Sequence, residues 1–578
     1  MEQTAISHPS RTGGAFFAAP ADPTHRRYEA LRAYLLEGLS GPAAAGRFGY
    51  RPQTLASMVR DFRAGRRAFF VMQRPGPKAA PAKEAARARI VALRRAGRSA
   101  YEIARVLAAE RTPLNRTGVA EVLAEAGFAR MWPRPHLERG LPRREALPRA
   151  GAIDFARWPE RCETKLAGLL LAVPELVALD LPGLVARARY PGTTAIPAVS
   201  SVLALLALKL VGLRRVSHVL DLAADPGAAL FAGLVALPKA TALTTYSYRL
   251  SHERQRTFLA ALDRAMLARG LALGRDFDVD FHAIMHWGED AALERHYVAR
   301  RSQRTRSVLT FFAQDAGTHN LVYANADLSK AAQAREVLAF CDHWRSLSGA
   351  DPATVVLDQR VTTQAVLGAL DHRGVHFITL RMRSPALLRH IEALDPKAWK
   401  TVSLDRDGTY RNPHVVDERV SLSAYPGTIR QLVVRGLGHE APTVIITNDA
   451  ASTPKQLIER YARRMSIEQR LAEAIRSFHL DALASAVPLN VDLDVVLSVL
   501  AGSVCAALRR RLGAGYAAAT PDTLQRRFLS TGGLILKRGD TIVVRLERRT
   551  YNPVLRSADN AEVGVPWWGG RRLRFVYA

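Results

Sequence analysis

Asp276-Phe-Asp-Val-Asp-Phe-His282 alternates polar and apolar residues without a break. Side chains of a strand point to opposite faces in turn, so the run places Asp276, Asp278, Asp280 and His282 on one side. Phe277, Val279 and Phe281 fall on the other. Three carboxylates in a row repel one another unless water or a cation separates them. Downstream, 307–312 and 321–324 read as strands joined through Asp315-Ala-Gly-Thr318, and 331–346 reads as a helix. Ala353-Thr-Val-Val-Leu-Asp358 is a short apolar run that ends in an acid. A helix at 363–370 and a strand at 375–380 complete a βαβ unit. Functional side chains gather at the carboxyl ends of strands in a parallel sheet, which marks Asp358.

A third element, Tyr461-Ala-Arg-Arg464-Met-Ser-Ile-Glu468, reads as a helix continuing to Arg476. At 100° per residue, Tyr461, Arg464, Glu468 and Arg476 fall within an arc of about 120°. Hard divalent cations take oxygen ligands, commonly one or two carboxylates with waters and substrate phosphates. Two such ions about 3.5–4 Å apart hold the attacking and leaving oxygens of a phosphoryl displacement. That chemistry needs acids from separate elements in one pocket, with arginines nearby for phosphate. The three elements offer this set.

The 578 residues suggest several folded units. Apolar residues make up 48% and charged residues 23%, a globular balance that excludes a disordered or fibrous chain. Eighty-two Lys and Arg against 53 Asp and Glu give a net charge of +29, so polyanions, nucleic acid foremost, are the expected partners. Cys162, Cys341 and Cys505 are too scattered for a disulfide framework or a zinc set and fit a reducing cytoplasm. The first 25 residues lack a secretion pattern. The longest apolar stretch, 195–213, contains Pro197 and Lys209, which reads as a buried helix and not a membrane span.

The positive charge is concentrated. Residues 1–150 hold 27 basic and 12 acidic residues, an excess of +15. A helix is expected at 28–37, Ser40 caps a short second helix, Gly49-Tyr-Arg51 turns, and a longer helix runs over 52–63. Two short helices about a Gly-containing turn make a helix-turn-helix, whose second helix enters the major groove. Arg51, Gln53, Thr54, Ser57 and Arg60 would present donors to bases or phosphates there. A second candidate follows: a helix at 87–96, a capping box in Ser99-Ala-Tyr-Glu102, and a helix carrying Val119, Val122 and Leu123. In the tail, an apolar helix is expected at 497–508, and strands at 533–536 and 541–546 form a hairpin across Lys537-Arg-Gly-Asp540. Trp567 and Trp568 are read as packing residues, with stacking on unpaired bases as the other use.

The ordered acids and the Tyr461–Glu468 helix resemble the DDE transposases of bacterial insertion sequences, in the group with a Tyr-x2-Arg-x3-Glu-x6-Lys signature. Tyr461, Arg464 and Glu468 match in spacing; the Lys position is Ile475, with Arg476 beside it. The first acid best matches Asp280, with Asp278 its competitor, and the second matches Asp358. The resemblance spans about 150–578 and includes Leu237-Pro-Lys239, Tyr246-Ser-Tyr248 and Val565-Pro-Trp-Trp-Gly-Gly570. It implies a ribonuclease-H-like α/β core with a β-rich insertion, and the β-rich text between Asp358 and Glu468 fits that independently.

The expected organisation is multidomain: a helix-turn-helix at 1–70, a linker at 71–84, a second helix-turn-helix at 85–130 and a Pro/Arg-rich connector at 131–154. A helical domain at 155–270 follows, then the core at 271–384 and 447–510 around the insertion at 385–446, and a helix/hairpin region at 511–578. The resemblance implies that Asp280, Asp358 and Glu468 hold two magnesium ions, with manganese a substitute, and that Tyr461, Arg464 and Arg476 contact DNA. It implies metal-dependent cleavage at the element's inverted repeats, then attack of the freed 3′-hydroxyl on target DNA. A homodimer would hold both ends, in the bacterial cytoplasm at the nucleoid. The rivals are a DNA-binding regulator that has lost catalysis, which Ile475 favours, and a nuclease that cuts without joining. If the basic N-terminal region grips phosphates, duplex binding falls steeply between about 50 and 200 mM salt; a flat profile in a filter-binding titration removes that role.

Overall fold

The computed structural model describes residues 15–66, 69, 80–129, 131, 148–287, 293–298, 303–359, 361, 363–405, 409–438, 440–482, 487–558 and 561–577. The chain divides into two compact units, 1–143 and 144–578. Most of the expected linker and connector, 71–79 and 132–147, lies outside the described residues.

The first unit holds two three-helix clusters. In one, α1 (Pro23–Leu35), α2 (Gly41–Arg47) and α3 (Pro52–Arg63) surround Leu31, Ala44, Ala45, Leu55, Met58 and Val59. α1 starts before the expected position because the Asp22 carboxylate accepts from the Thr24 and His25 amides, and Pro23 sits where no amide hydrogen is needed. Ser40 caps α2, and Gly49, at φ +71°, makes the turn into α3. In the other, α4 (Pro81–Arg95), α5 (Ala100–Ala109) and α6 (Arg116–Glu125) enclose Ile90, Ile103, Leu107, Val119 and Val122. The Ser99/Glu102 capping box closes in both directions.

The second unit opens with β1 (Arg161–Thr164) and a helical stretch that includes α7 (Ala198–Leu210) and α8 (His252–Ala268). α7 is the apolar stretch of the sequence, and it is buried from Ser200 to Leu210. Then come β2 (Asp276–Met285), β3 (Arg295–Val298), β4 (Gln303–Asp315), β5 (Leu321–Leu328) and α9 (Glu336–Ser348). β6 (Thr354–Leu357), β7 (His376–Leu380), β8 (Lys400–Thr401), β9 (His414–Ser421), β10 (Thr428–Arg435) and β11 (Thr443–Thr447) follow. Three helices come next: α10 (Pro454–Arg463), α11 (Met465–Phe478) and α12 (Pro488–Leu512). The chain closes with β12 (Gly533–Arg538), β13 (Thr541–Leu546), β14 (Val563–Gly564) and β15 (Arg572–Tyr577).

Strands β2 to β11 form one ten-stranded sheet, ordered β3-β4-β2-β6-β7-β11-β10-β9-β8 with β5 on β4. β2 runs antiparallel to β4 and parallel to β6, and β6 runs parallel to β7. The strands of the expected insertion do not stand apart: β8 to β11 extend this sheet beyond β7, with β11 antiparallel to it. The smaller sheet, β1-β12-β13-β15-β14, joins the helical stretch to the tail, so 511–578 is not an independent region.

Packing fixes the faces of β2. Phe277 is fully buried, edge-on to Trp344 and Phe340 of α9 with centroids 4.5 and 5.1 Å away. α12 has the length and apolarity of a membrane span, but 89% of its apolar window is buried within this unit, which makes it the central core helix. Trp568 is buried and donates to the Leu230 carbonyl at 2.8 Å, and Trp567 donates to that of Phe231, so both tryptophans are packing residues. Phe277→Ala would empty the junction of β2 and α9 and cost about 3–5 kcal/mol; urea denaturation measures it, and a loss below about 1 kcal/mol contradicts this packing.

Candidate active site

Alternation along β2 turns Asp278 and Asp280 away from Phe277, toward α10 and α11. Asp358 follows the end of β6, the strand parallel to β2. Glu468 lies in the first turn of α11, where the positive end of a helix favours a carboxylate. The expected single helix from Tyr461 to Arg476 is divided. At Arg464 the backbone changes to a tighter turn, with Arg464 N–H donating to the Tyr461 carbonyl and Ile467 N–H to that of Arg464. α10 ends there and α11 begins.

The guanidinium of Arg464 touches all three acids. Its Nη1 is 3.5 Å from Asp280 Oδ2, and its Nη2 is 3.6 Å from Asp358 Oδ1 and 3.0 Å from Glu468 Oε1. Arg464, expected on DNA phosphate, is turned inward, with its side chain 4% exposed. The Tyr461 hydroxyl is 3.5 Å from Asp358 Oδ1, and its ring lies 5.8 Å from the guanidinium. Arg476 is exposed on α11, and Ile475 packs half-buried against the core. Asp358 and Glu468 are half exposed, whereas Asp280 is 18% exposed, so the cluster opens to solvent on one side.

Asp278 and Asp280, the two candidates for the first acid, pair with different arginines. Asp278 is buried and held by Arg460 Nη1 at 2.6 Å, apart from the shared guanidinium. Arg460 was not singled out in the sequence, although it precedes Arg464 and Glu468 at steps of four on the same helical text. Gln314 and Ser466 were also missed. Gln314, opposite Asp278 in the β2–β4 register, donates to Ser466 Oγ at 2.6 Å and anchors the start of α11. At the other end of α11, buried Lys209 donates to the Phe478 carbonyl at 2.8 Å and pairs with Asp494 at 2.7 Å. Only the fold brings these groups together.

Burial dominates the electrostatics. It pushes the Asp280 carboxyl up to about 6, although Arg464 opposes it. It also raises Asp278, against Arg460, and lifts the Tyr461 hydroxyl to about 12. Burial pulls Arg464 down, but Asp280, Tyr461, Asp358 and Glu468 together hold it above the usual arginine value. The buried imidazole of His282 is lowered. Among the described residues, no three acidic, imidazole or thiol groups stand where they would share one ion as placed. Asp280, Asp358 and Glu468 nevertheless supply the hard oxygen donors that magnesium takes, all facing one point that Arg464 fills.

In the first unit, Arg51 precedes α3, Gln53, Thr54 and Arg60 are exposed on it, and Ser57 is half-buried. Arg60 donates to Ser57 Oγ at 3.1 Å. Gln53, Thr54, Ser57 and Arg60 lie on the side of α3 away from Leu55, Met58 and Val59, and Arg51 precedes it as the extended N-cap.

Residues 273–501 match the family described as the transposase DDE domain. The matched segment runs from just before β2 into α12 and contains Asp280, Asp358 and Glu468, so the resemblance to DDE transposases holds for it. Among solved structures, a cryo-EM structure of a piggyBac transposase synaptic complex with hairpin DNA aligns with 66% of this chain and 84% of that one, at 9% identity and a TM-score of 0.34. No curated protein matches the chain.

The raised Asp280 carboxyl has a consequence for stability. The folded chain holds this proton more tightly than the unfolded chain, whose value is 3.8. The associated stability is therefore full below about pH 3.8 and is lost as pH rises through about 6. Asp280→Asn should stabilise the chain by about 1–3 kcal/mol at pH 8, and much less near pH 4, in denaturation curves recorded with a chelator. An equal effect at both pH values contradicts the burial of this carboxyl.

Proposed function

We propose that this chain, whose residues 273–501 match the transposase DDE domain, is a DNA transposase that binds element ends, cleaves them and joins them to target DNA. The observation that carries the reading is the meeting of Asp280, Asp358 and Glu468, far apart in the chain, on one guanidinium. The order β5-β4-β2-β6-β7, with only β4 reversed between its neighbours, supports a ribonuclease-H-like core. In this reading Asp280, Asp358 and Glu468 hold two magnesium ions, and manganese can replace them. Bound there, the ions would supply Lewis acidity for the attacking hydroxyl and the leaving oxygen.

The chain's own groups do the rest. Glu468, on a helix tied at both ends, and Asp358, at a strand end, face solvent and can meet a phosphodiester. Asp280 closes the inner side, where burial excludes water and strengthens every charge interaction. Tyr461 and Arg464 line the path to the scissile phosphate, and Arg476 lies further along the same helix. The polar face of α3, with Gln53, Thr54, Ser57 and Arg60, and Arg51 just before it, suits a recognition helix in the major groove. Two copies would hold the two terminal inverted repeats, and the setting would be the bacterial cytoplasm at the nucleoid.

Asp358→Ala and Glu468→Ala should each reduce nicking of element-end DNA by at least about 1000-fold and leave end binding within about threefold. Nicking by both variants at the native rate removes the site assignment. Native protein that binds ends without nicking in magnesium is the regulator that Ile475 favours; nicking without strand-transfer products makes it a nuclease.

A further inference from the structure

Arg464 is held unusually for a buried arginine. Of its three carboxylate contacts only the one to Glu468 is a hydrogen bond, at 3.0 Å. Those to Asp280 and Asp358, at 3.5 and 3.6 Å, exceed the charge-assisted range of about 2.7–2.9 Å. Its Nε and Nη1 are buried without a hydrogen-bond partner. Arginine normally earns a buried place through a saturated planar fork. Arg464 is instead kept inward by uncompensated negative charge, at a helix junction where one backbone turn is already tightened. A hold of that kind yields to a stronger cation.

We infer that Arg464 is an exchangeable internal counter-ion: it balances Asp280, Asp358 and Glu468 until divalent cations take those oxygens, and then turns outward to a DNA phosphate. The inference rests on the reading of the three acids as the metal-holding set. A guanidinium and a dication cannot share the same carboxylate oxygens, and at such distances they repel. Once displaced, Arg464 keeps its charge, because it stays protonated at any working pH. An anion on the open side of the cluster is the partner it then lacks, and a phosphodiester supplies bidentate oxygens of the right geometry. Cation and DNA therefore assist each other's binding, and by linkage the assistance is equal in both directions. In the absence of DNA, Arg464 keeps the cation affinity low.

Manganese titration of the full-length chain by calorimetry, without DNA, tests this. Arg464→Gln should bind Mn²⁺ at least about fivefold more tightly than the native chain, the low end of usual coupling factors of about 5–150. Arg464→Lys, which keeps the charge but loses the fork, should fall between them. A short duplex at saturation should tighten Mn²⁺ binding to the native chain and narrow its gap from Arg464→Gln. Asp358→Asn serves as the control and should weaken Mn²⁺ binding strongly. If Asp358→Asn weakens binding while the folded Arg464→Gln binds no better than native, the counter-ion role is overturned and the acid site stands. If Asp358→Asn binds Mn²⁺ as the native chain does, the acid site itself falls. Should the glutamine variant not fold, Arg464→Lys decides: affinity no higher than native overturns the inference. A gap between native and Arg464→Gln that persists undiminished with duplex overturns the outward turn to phosphate.

Discussion

Phe277 cannot leave the contact with Trp344 and Phe340 without exposing a large apolar ring, and the pleat then decides where its neighbours go. Asp278 and Asp280 must both face α10 and α11, in a region with little water. Buried carboxylates need cations or protons, and the chain supplies two arginines about one helical turn apart. Arg460 takes Asp278 in a short pair, which leaves Arg464 for Asp280. Asp358 and Glu468 complete the cluster because parallel pairing of β6 with β2 and the packing of α11 bring them to the same place.

The supports of Glu468 are as informative as its neighbours. α11 is fastened at its start by Gln314 through Ser466 and at its end by Lys209 through the Phe478 carbonyl. Lys209 is itself a buried charge, tolerable only because Asp494 and that carbonyl surround it. The helix that presents Glu468 is therefore fastened at both ends, while Arg464 sits at its junction with α10.

Much of this was legible in local sequence. The alternation in Asp276–Met285 gave the strand and its faces, Ser40 and the Ser99/Glu102 box marked helix starts, and Gly-Asp in Lys537–Asp540 marked the hairpin between β12 and β13. Spacing around Tyr461, Arg464 and Glu468 pointed to one functional helix. What local reading could not give depended on distant partners. The division at Arg464 has no glycine or proline to announce it. β9 lies within the stretch read as β-rich, but its bounds are hidden because His414-Val-Val-Asp-Glu-Arg-Val-Ser421 interleaves charges with Val415 and Val416, which enter the core. The extension of the sheet by β8 to β11 and the pairing of β1 with β12 are long-range matters that no window of sequence contains.

That last pairing sets a timetable. β1 is among the first strands of the second unit to be synthesised, and its partner β12 is among the last. At about 5–20 residues per second, the ribosome needs on the order of 20–70 s to travel from one to the other. Throughout that interval the apolar helices that rest on the smaller sheet lack their floor, and β1 remains an unmatched edge that invites the wrong neighbour. A premature stop before β12 thus leaves β1 without its partner and the smaller sheet unclosed.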